Sequence, residues 1–183
     1  MRPWDVKALV RPPFTDEDFT ATKFDTTADK AWFANALCNF IASDCKQSLW
    51  TKRLYNRLSL SFGHIAHYSD AGFWDVFFTS TQGKLDFLGQ TMSHHCFGDP
   101  AYTYSDVERA IRTRLKRSGI VSAYQALHAA EIENLERTML ARLSAKYQGT
   151  PAQPQEVPHV AIPSPTIPRP RRDQPTSGQA SLL

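Results

Sequence analysis

Five residues in the middle of the sequence are of the types that bind zinc. His64 and His67 are three residues apart, and His94, His95 and Cys96 follow one another directly. Structural zinc takes four Cys or His ligands, usually paired at short spacing, which makes His64, His67, His95 and Cys96 weak candidates for a metal site. Adjacent ligands such as His94 and His95 rarely reach one ion together, and no Cys-x-x-Cys pair occurs. We therefore favour histidines that hydrogen-bond locally, and we expect no metal or cofactor.

Patterns that usually accompany catalysis are absent from the sequence. Cys96 beside His95 combines the residue types of a thiol nucleophile and its base, but adjacent side chains on a loop point apart. The sequence contains no phosphate-binding loop, no glycine-rich dinucleotide turn and no nucleophile elbow. We therefore expect a protein that is not an enzyme.

Two basic segments provide the strongest functional signal. Residues 46–57 contain four bases and no acid, and residues 106–117 contain five bases and two acids, in a chain whose formal net charge is only +3. A basic patch on a near-neutral background attracts polyanions through its local field. The residues predicted to bind a nucleic acid or an acidic partner are Lys52, Arg53, Arg57, Arg109, Arg112 and Lys116, with Trp50 and Tyr55 available for stacking. The alternative is a solvated face, since bases are common near the C-terminus of a helix.

Apolar residues repeat with the period of an α-helix through most of the chain. Together with capping residues they predict helices at about 28–43, where Thr26 and Asp29 form a capping pair, at about 48–62 and at about 121–147. Three shorter helices are predicted after the capping residues Ser69, Ser80 and Ser105. No segment has the alternation of a β-strand with any strength. The predicted fold is all-α, a compact bundle of five or six helices with a long C-terminal helix.

The two ends of the chain differ in composition from its middle. Residues 1–26 contain three prolines and a polar acidic stretch, which predict an extended N-terminal arm anchored by aromatic side chains. Residues 27–149 contain the apolar repeats and are predicted to form the helical domain. Residues 150–183 contain eight of the twelve prolines and no apolar period, which predicts a disordered Pro-rich tail.

The predicted location is the cytoplasm. Three cysteines, an odd and small number, argue against the disulfide framework of a secreted domain. The first twenty residues lack the pattern of a secretory signal, and no apolar run is long enough to span a membrane.

Two further features indicate a protein partner. Aromatic residues are dense between residues 68 and 78, and we expect some of them to remain exposed, with Trp74 and Phe78 as the apolar anchors of an interface. The final helix is about seven turns long and either crosses the body or projects and forms a homodimer. We favour the crossing, because an apolar stripe usually faces its own core.

These features predict a non-enzymatic accessory protein that docks on a larger nucleic-acid-associated assembly through its basic helical patch. A regulator or inhibitor carried by a phage or a plasmid would have such properties. The first alternative is a protein that binds DNA or RNA directly. The second is a small zinc-binding protein that uses the histidines and cysteine named above.

Overall fold

The computed structural model describes residues 3–61 and 69–148. Within these ranges there is no β-strand, and the prediction of an all-α fold is confirmed. Two short 3-10 turns also occur, Asp16–Asp18 and Gln47–Leu49. The predicted tail, together with His64 and His67, lies outside the described residues. The α-helices are α1 (Val6–Val10), α2 (Thr27–Ala42), α3 (Lys52–Ser61), α4 (Asp70–Phe77), α5 (Thr81–Ser93), α6 (Ser105–Ser118) and α7 (Ile120–Gln148).

Helix α2 lies at the centre of the core. It begins at the predicted capping pair, in which the backbone N–H of Asp29 donates to the Thr26 hydroxyl at 3.1 Å. Helices α1, α3 and α6 and the first 3-10 turn all contact it. Because neighbours surround α2 on several sides, its apolar residues are buried around most of its circumference, including Phe33, Leu37, Phe40 and Ile41.

The aromatic residues around α4 form a cluster inside the protein. Trp50 stacks on Phe73 with ring centroids 5.6 Å apart. The ring of Phe78 lies 4.9 Å from that of Phe40 and 5.0 Å from that of Phe87. Phe78 is only 4% exposed, so the expectation that it forms an exposed anchor is wrong. The reason is that two other helices supply the aromatic neighbours that cover it, the distant α2 through Phe40 and the next helix, α5, through Phe87. Trp74 is half-buried at the edge of the same cluster.

The N-terminal segment is more ordered than an extended arm. Asp5 caps α1 by accepting a hydrogen bond from the backbone N–H of Ala8 at 3.1 Å. Leu9 is fully buried, and Trp4 stacks on Tyr124 with ring centroids 5.1 Å apart. The prediction of an extended conformation is therefore wrong for Val6–Val10, where a helix packs against α2 and α6.

Helix α7 projects from the rest of the described structure. Its first turns pack on α5 and α6, and Tyr124 is buried there. The Thr81 hydroxyl donates to Glu131 at 2.7 Å, and from that point to Gln148 every residue except Ser144 is exposed. The favoured prediction, a helix that crosses the body, is therefore wrong. Among the described helices, none is both long and apolar enough to cross a lipid bilayer.

Candidate polyanion-binding site

The predicted base Arg57 is largely neutralised inside the protein. Its guanidinium forms an ion pair with Asp25 and donates to the Tyr104 hydroxyl at 3.0 Å. Its side chain is 22% exposed. Burial raises the pKa of the Tyr104 phenol, which therefore stays protonated at neutral pH. Arg57 thus links α3 to the segments before α2 and α6 and contributes little to an outward-facing positive field.

The other two bases of α3 differ from each other in their surroundings. The guanidinium of Arg53 lies 3.6 Å from the ring centroid of Trp32 and 3.3 Å from a carboxylate oxygen of Asp29. Lys52 is exposed, and no ion pair joins it to a described carboxylate. Of the three predicted bases on α3, Lys52 alone therefore carries an uncompensated charge within the described residues.

The two aromatic residues predicted to stack on bases are engaged in the aromatic cluster. Trp50 contacts Phe73 as described above, and its indole N–H donates to Asp70 at 2.6 Å. Tyr55 lies against both rings, 6.1 Å from Trp50 and 6.4 Å from Phe73 between ring centroids. Both residues are half-buried, so neither presents a free ring face on which an unpaired base could stack.

Helix α6 presents two of its three predicted bases to solvent. Arg109 and Lys116 are exposed, and their spacing of seven residues places them on the same side of the helix. Arg112 instead turns inward, where it donates to the backbone carbonyl of His94 and lies 3.9 Å from the buried carboxylate of Glu108. Arg112 therefore holds the loop after α5 against α6.

An open cleft of about 560 Å³ separates the exposed side of α6 from the end of α1. Arg109 and Arg117 line it from α6, and Arg11 lines it from the N-terminal segment. These three residues and Lys116 are exposed, and none pairs with a described carboxylate. We call Arg11, Arg109, Lys116 and Arg117 the basic face.

Two members of the basic face were missing from the sequence prediction. Arg117 lies eight residues after Arg109, a spacing that places both on one side of a helix and could have identified it. Arg11 gave no such signal, because the two prolines that follow it indicated an extended arm instead of a packed helix end.

The two acids that line the cleft are already engaged. Asp18 accepts a hydrogen bond from the backbone N–H of Thr15 at 2.8 Å. Asp106 pairs with the buried ammonium of Lys30 at 3.0 Å and accepts from the backbone N–H of Thr20 at 3.0 Å. The charge of Asp106 is compensated by Lys30, whereas Asp18 keeps its charge. Arg11, Arg109 and Arg117 outnumber this one carboxylate, so the field in the cleft is positive.

The two described zinc candidates, His95 and Cys96, make local contacts. The Nδ1 atom of His95 lies 2.6 Å from the backbone oxygen of Ser93, and its ring stacks on Phe97. The backbone N–H of Cys96 donates to Glu108 at 2.9 Å. In residues 3–61 and 69–148, no three His, Cys, Asp or Glu side chains are placed to hold one ion.

Glu108 is an ionisable group buried beneath this loop, with a residue exposure of 1%. Burial raises the pKa of its carboxyl above the ordinary value of 4.5, and the hydrogen bond from the Cys96 backbone and the nearby charges of His94, Arg112 and His95 oppose that shift only in part. The folded state therefore holds a proton on Glu108 at pH values where the unfolded chain has released it. As pH rises through this window, the ionised carboxylate makes folding less favourable.

We expect Glu108→Gln to remove this pH dependence. Relative to wild type, the variant should gain free energy of unfolding as pH rises from 4.5 to neutrality, and differ least at the acidic end. Urea unfolding across this range would measure the difference, with Glu136→Gln on the exposed part of α7 as the matched control. If the free energies of unfolding of the variant and of wild type differed by the same amount at all pH values, burial would not perturb the pKa of Glu108.

The basic face combines exposure, unpaired charge and concave shape. Each guanidinium there can donate two parallel hydrogen bonds to a phosphate or a carboxylate, which an ammonium cannot do. No protein-family model matches the chain, and no curated protein or solved structure is similar to it at a significant level.

Proposed function

We propose that this protein is a non-enzymatic binding protein that docks through its basic face on an acidic surface of a nucleic-acid-associated assembly. The observation that supports this proposal is a set of exposed bases that pair with no carboxylate of the described chain. Arg11, Arg109 and Arg117 line one cleft, and Lys116 lies on the same side of α6 as Arg109. On protein surfaces, bases are commonly interleaved with acids. Arg53 of α3, for example, is paired with Asp29 of α2. The unpaired cluster on α6 therefore favours a partner that brings the opposite charge.

Direct binding of DNA or RNA is the alternative function. Phosphate contacts need only Lys and Arg, so the basic face could follow a nucleic-acid backbone. Recognition of single strands also uses exposed aromatic rings, and Trp50 and Tyr55 are engaged within the protein. The engagement of these two rings removes the stacking on which the prediction of single-strand binding depended.

Affinity capture from the lysate of the native host, with and without nuclease, tests the proposal. We expect a stoichiometric partner that survives nuclease treatment and is retained by wild type. The double variant Arg109→Glu, Arg117→Glu should weaken its capture by roughly tenfold or more, because each reversal replaces attraction by repulsion. The matched control is Lys23→Glu, Lys46→Glu, which makes the same change in net charge at exposed positions that do not line the cleft.

Two results would contradict the proposal. Capture that the Arg109 and Arg117 reversals leave unchanged would mean that the basic face is only a solvated surface. Capture that nuclease abolishes for wild type would assign the face to direct contact with DNA or RNA, the alternative function.

A further inference from the structure

Helix α7 carries seven of the twelve large apolar side chains that the described structure leaves exposed, six of them on its projecting part. Outside this helix the exposed ones are scattered, such as Phe24, Val76 and Phe97. Surface patches of this kind usually mark an interaction site, since isolated exposed apolar residues are common but contiguous ones are not. The exposed apolar residues of α7 are Leu127, Ile132, Leu135, Met139, Leu140, Leu143 and Tyr147.

The apolar residues follow one side of the helix. Ile132, Leu135, Met139 and Leu143 are spaced by three, four and four residues, which aligns them along the axis. Leu135 and Met139 in the middle of this stripe are 66% and 63% exposed. From residue 131 to residue 148 the helix is about 27 Å long at 1.5 Å per residue, comparable to the contact length of two paired helices in a small dimer.

Charged residues on this part of α7 are separated by sign along the axis. The acids Glu131, Glu133 and Glu136 come first, and the bases Arg137, Arg142 and Lys146 follow. A second copy in parallel orientation would bring acids beside acids and bases beside bases. An antiparallel copy would bring each acidic half beside the basic half of its partner, which favours that orientation.

We propose that the exposed stripe of α7 pairs with the same stripe of a second copy in antiparallel orientation. With Met139 at the centre, Leu135 of each copy lies opposite Leu143 of the other. The pairing is isologous, so it closes on itself and forms a dimer. This inference concerns a surface separate from the basic face and does not depend on the proposed function.

The first test measures the mass of the full chain by sedimentation equilibrium over a range of concentrations. Wild type should associate reversibly to a dimer, and Leu135→Glu, Leu143→Glu should raise the dissociation constant by about tenfold or more, because charges enter the apolar seam. Circular dichroism and thermal unfolding at low concentration would show that the variant keeps its fold. The control is Phe24→Glu, Phe97→Glu, at positions that are each 86% exposed and distant from α7 in sequence.

A wild type that remains a monomer throughout would overturn the proposal. If the α7 variant then lost a captured protein in the lysate experiment, the stripe would belong to a different partner. If the variant and wild type dimerised equally, the dimer would use another surface, and the proposal would again be wrong.

The second test distinguishes the two orientations by oxidative cross-linking in a Cys96→Ser background, since Cys38 and Cys45 are buried. In the antiparallel arrangement, Met139 of one copy lies beside Met139 of the other. The two Ile132 residues lie far apart. We therefore expect Met139→Cys to form a covalent dimer and Ile132→Cys not to form one. Efficient cross-linking of both variants would indicate a parallel pair and overturn the antiparallel assignment.

Discussion

Replacement of Lys30 by methionine should lower the free energy of unfolding by about 3–5 kcal/mol, because it leaves a half-buried carboxylate without its cation. The Lys30 side chain is fully buried, and its ammonium donates to the backbone oxygens of Pro100 and Thr103, each at 2.9 Å. It also pairs with Asp106 at 3.0 Å. Methionine fills a similar volume but supplies no donor, so three acceptors lose a partner together.

Urea unfolding of wild type and Lys30→Met at neutral pH would measure this loss. Lys52→Met is the control, since Lys52 is exposed and its replacement should change stability by less than about 0.5 kcal/mol. The double variant Lys30→Met, Asp106→Leu should recover part of the loss, because it removes the uncompensated charge as well. A loss below about 1 kcal/mol for the single variant would mean that water or another cation replaces the ammonium.

Helix positions could be predicted from the sequence because their signals are local. The side chains of Ser69 and Ser80 cap α4 and α5 as predicted, accepting hydrogen bonds from residues three positions later. Gly119 ends α6 in the left-handed conformation, with a φ of 67°. Such signals need only a few neighbouring residues. The prediction failed at Ser105, which is the first residue of α6 and not its cap.

Burial could not be predicted where it depends on residues far apart in the chain. Phe78 appeared to belong to an excess of aromatic residues because its contact with Phe40 is made by α2, which lies far earlier in the chain. Lys30 differs from expectation in the same direction for another reason: a lysine within an amphipathic helix is usually exposed, whereas this one is buried. Its partners Pro100 and Thr103 come from a loop some seventy residues later.

The candidate site was also predicted only in part, because the acids that neutralise its bases come from other segments of the chain. Counting bases along α3 could not show that acids neutralise two of them. Asp29 at the start of α2 pairs with Arg53, and Asp25 in the segment before α2 pairs with Arg57. On α6 Arg109 and Lys116 lie in solvent, whereas Arg112, which was predicted to bind together with them, turns inward. Charge density along a sequence therefore locates bases, whereas the net field at the surface depends on which acids the fold brings beside them.

The buried guanidinium of Arg114 attaches the N-terminal segment to α6. It donates to the backbone oxygen of Leu9 at 3.1 Å and to that of Pro12, and it lies 3.3 Å from the ring centroid of Phe14. One side chain thus contacts the N-terminal segment at three points. A lysine could not reproduce these contacts, because an ammonium lacks the planar fork that serves two acceptors and stacks on a ring.

We therefore expect Arg114→Met to lower the free energy of unfolding by about 2–3 kcal/mol, since two carbonyls in the contact lose a charged donor. Because the loss falls on the attachment of α1, hydrogen exchange of the α1 amides should accelerate more than that of the α2 amides. Arg117→Met, one turn further along α6 and exposed, is the control and should leave both quantities nearly unchanged.

Loosening α1 also carries Arg11 away from Arg109 and Arg117, so Arg114→Met should weaken capture of the partner although Arg114 itself is buried. Equal acceleration in α1 and α2 would instead mean that Arg114 stabilises the whole fold, and that α1 does not detach on its own.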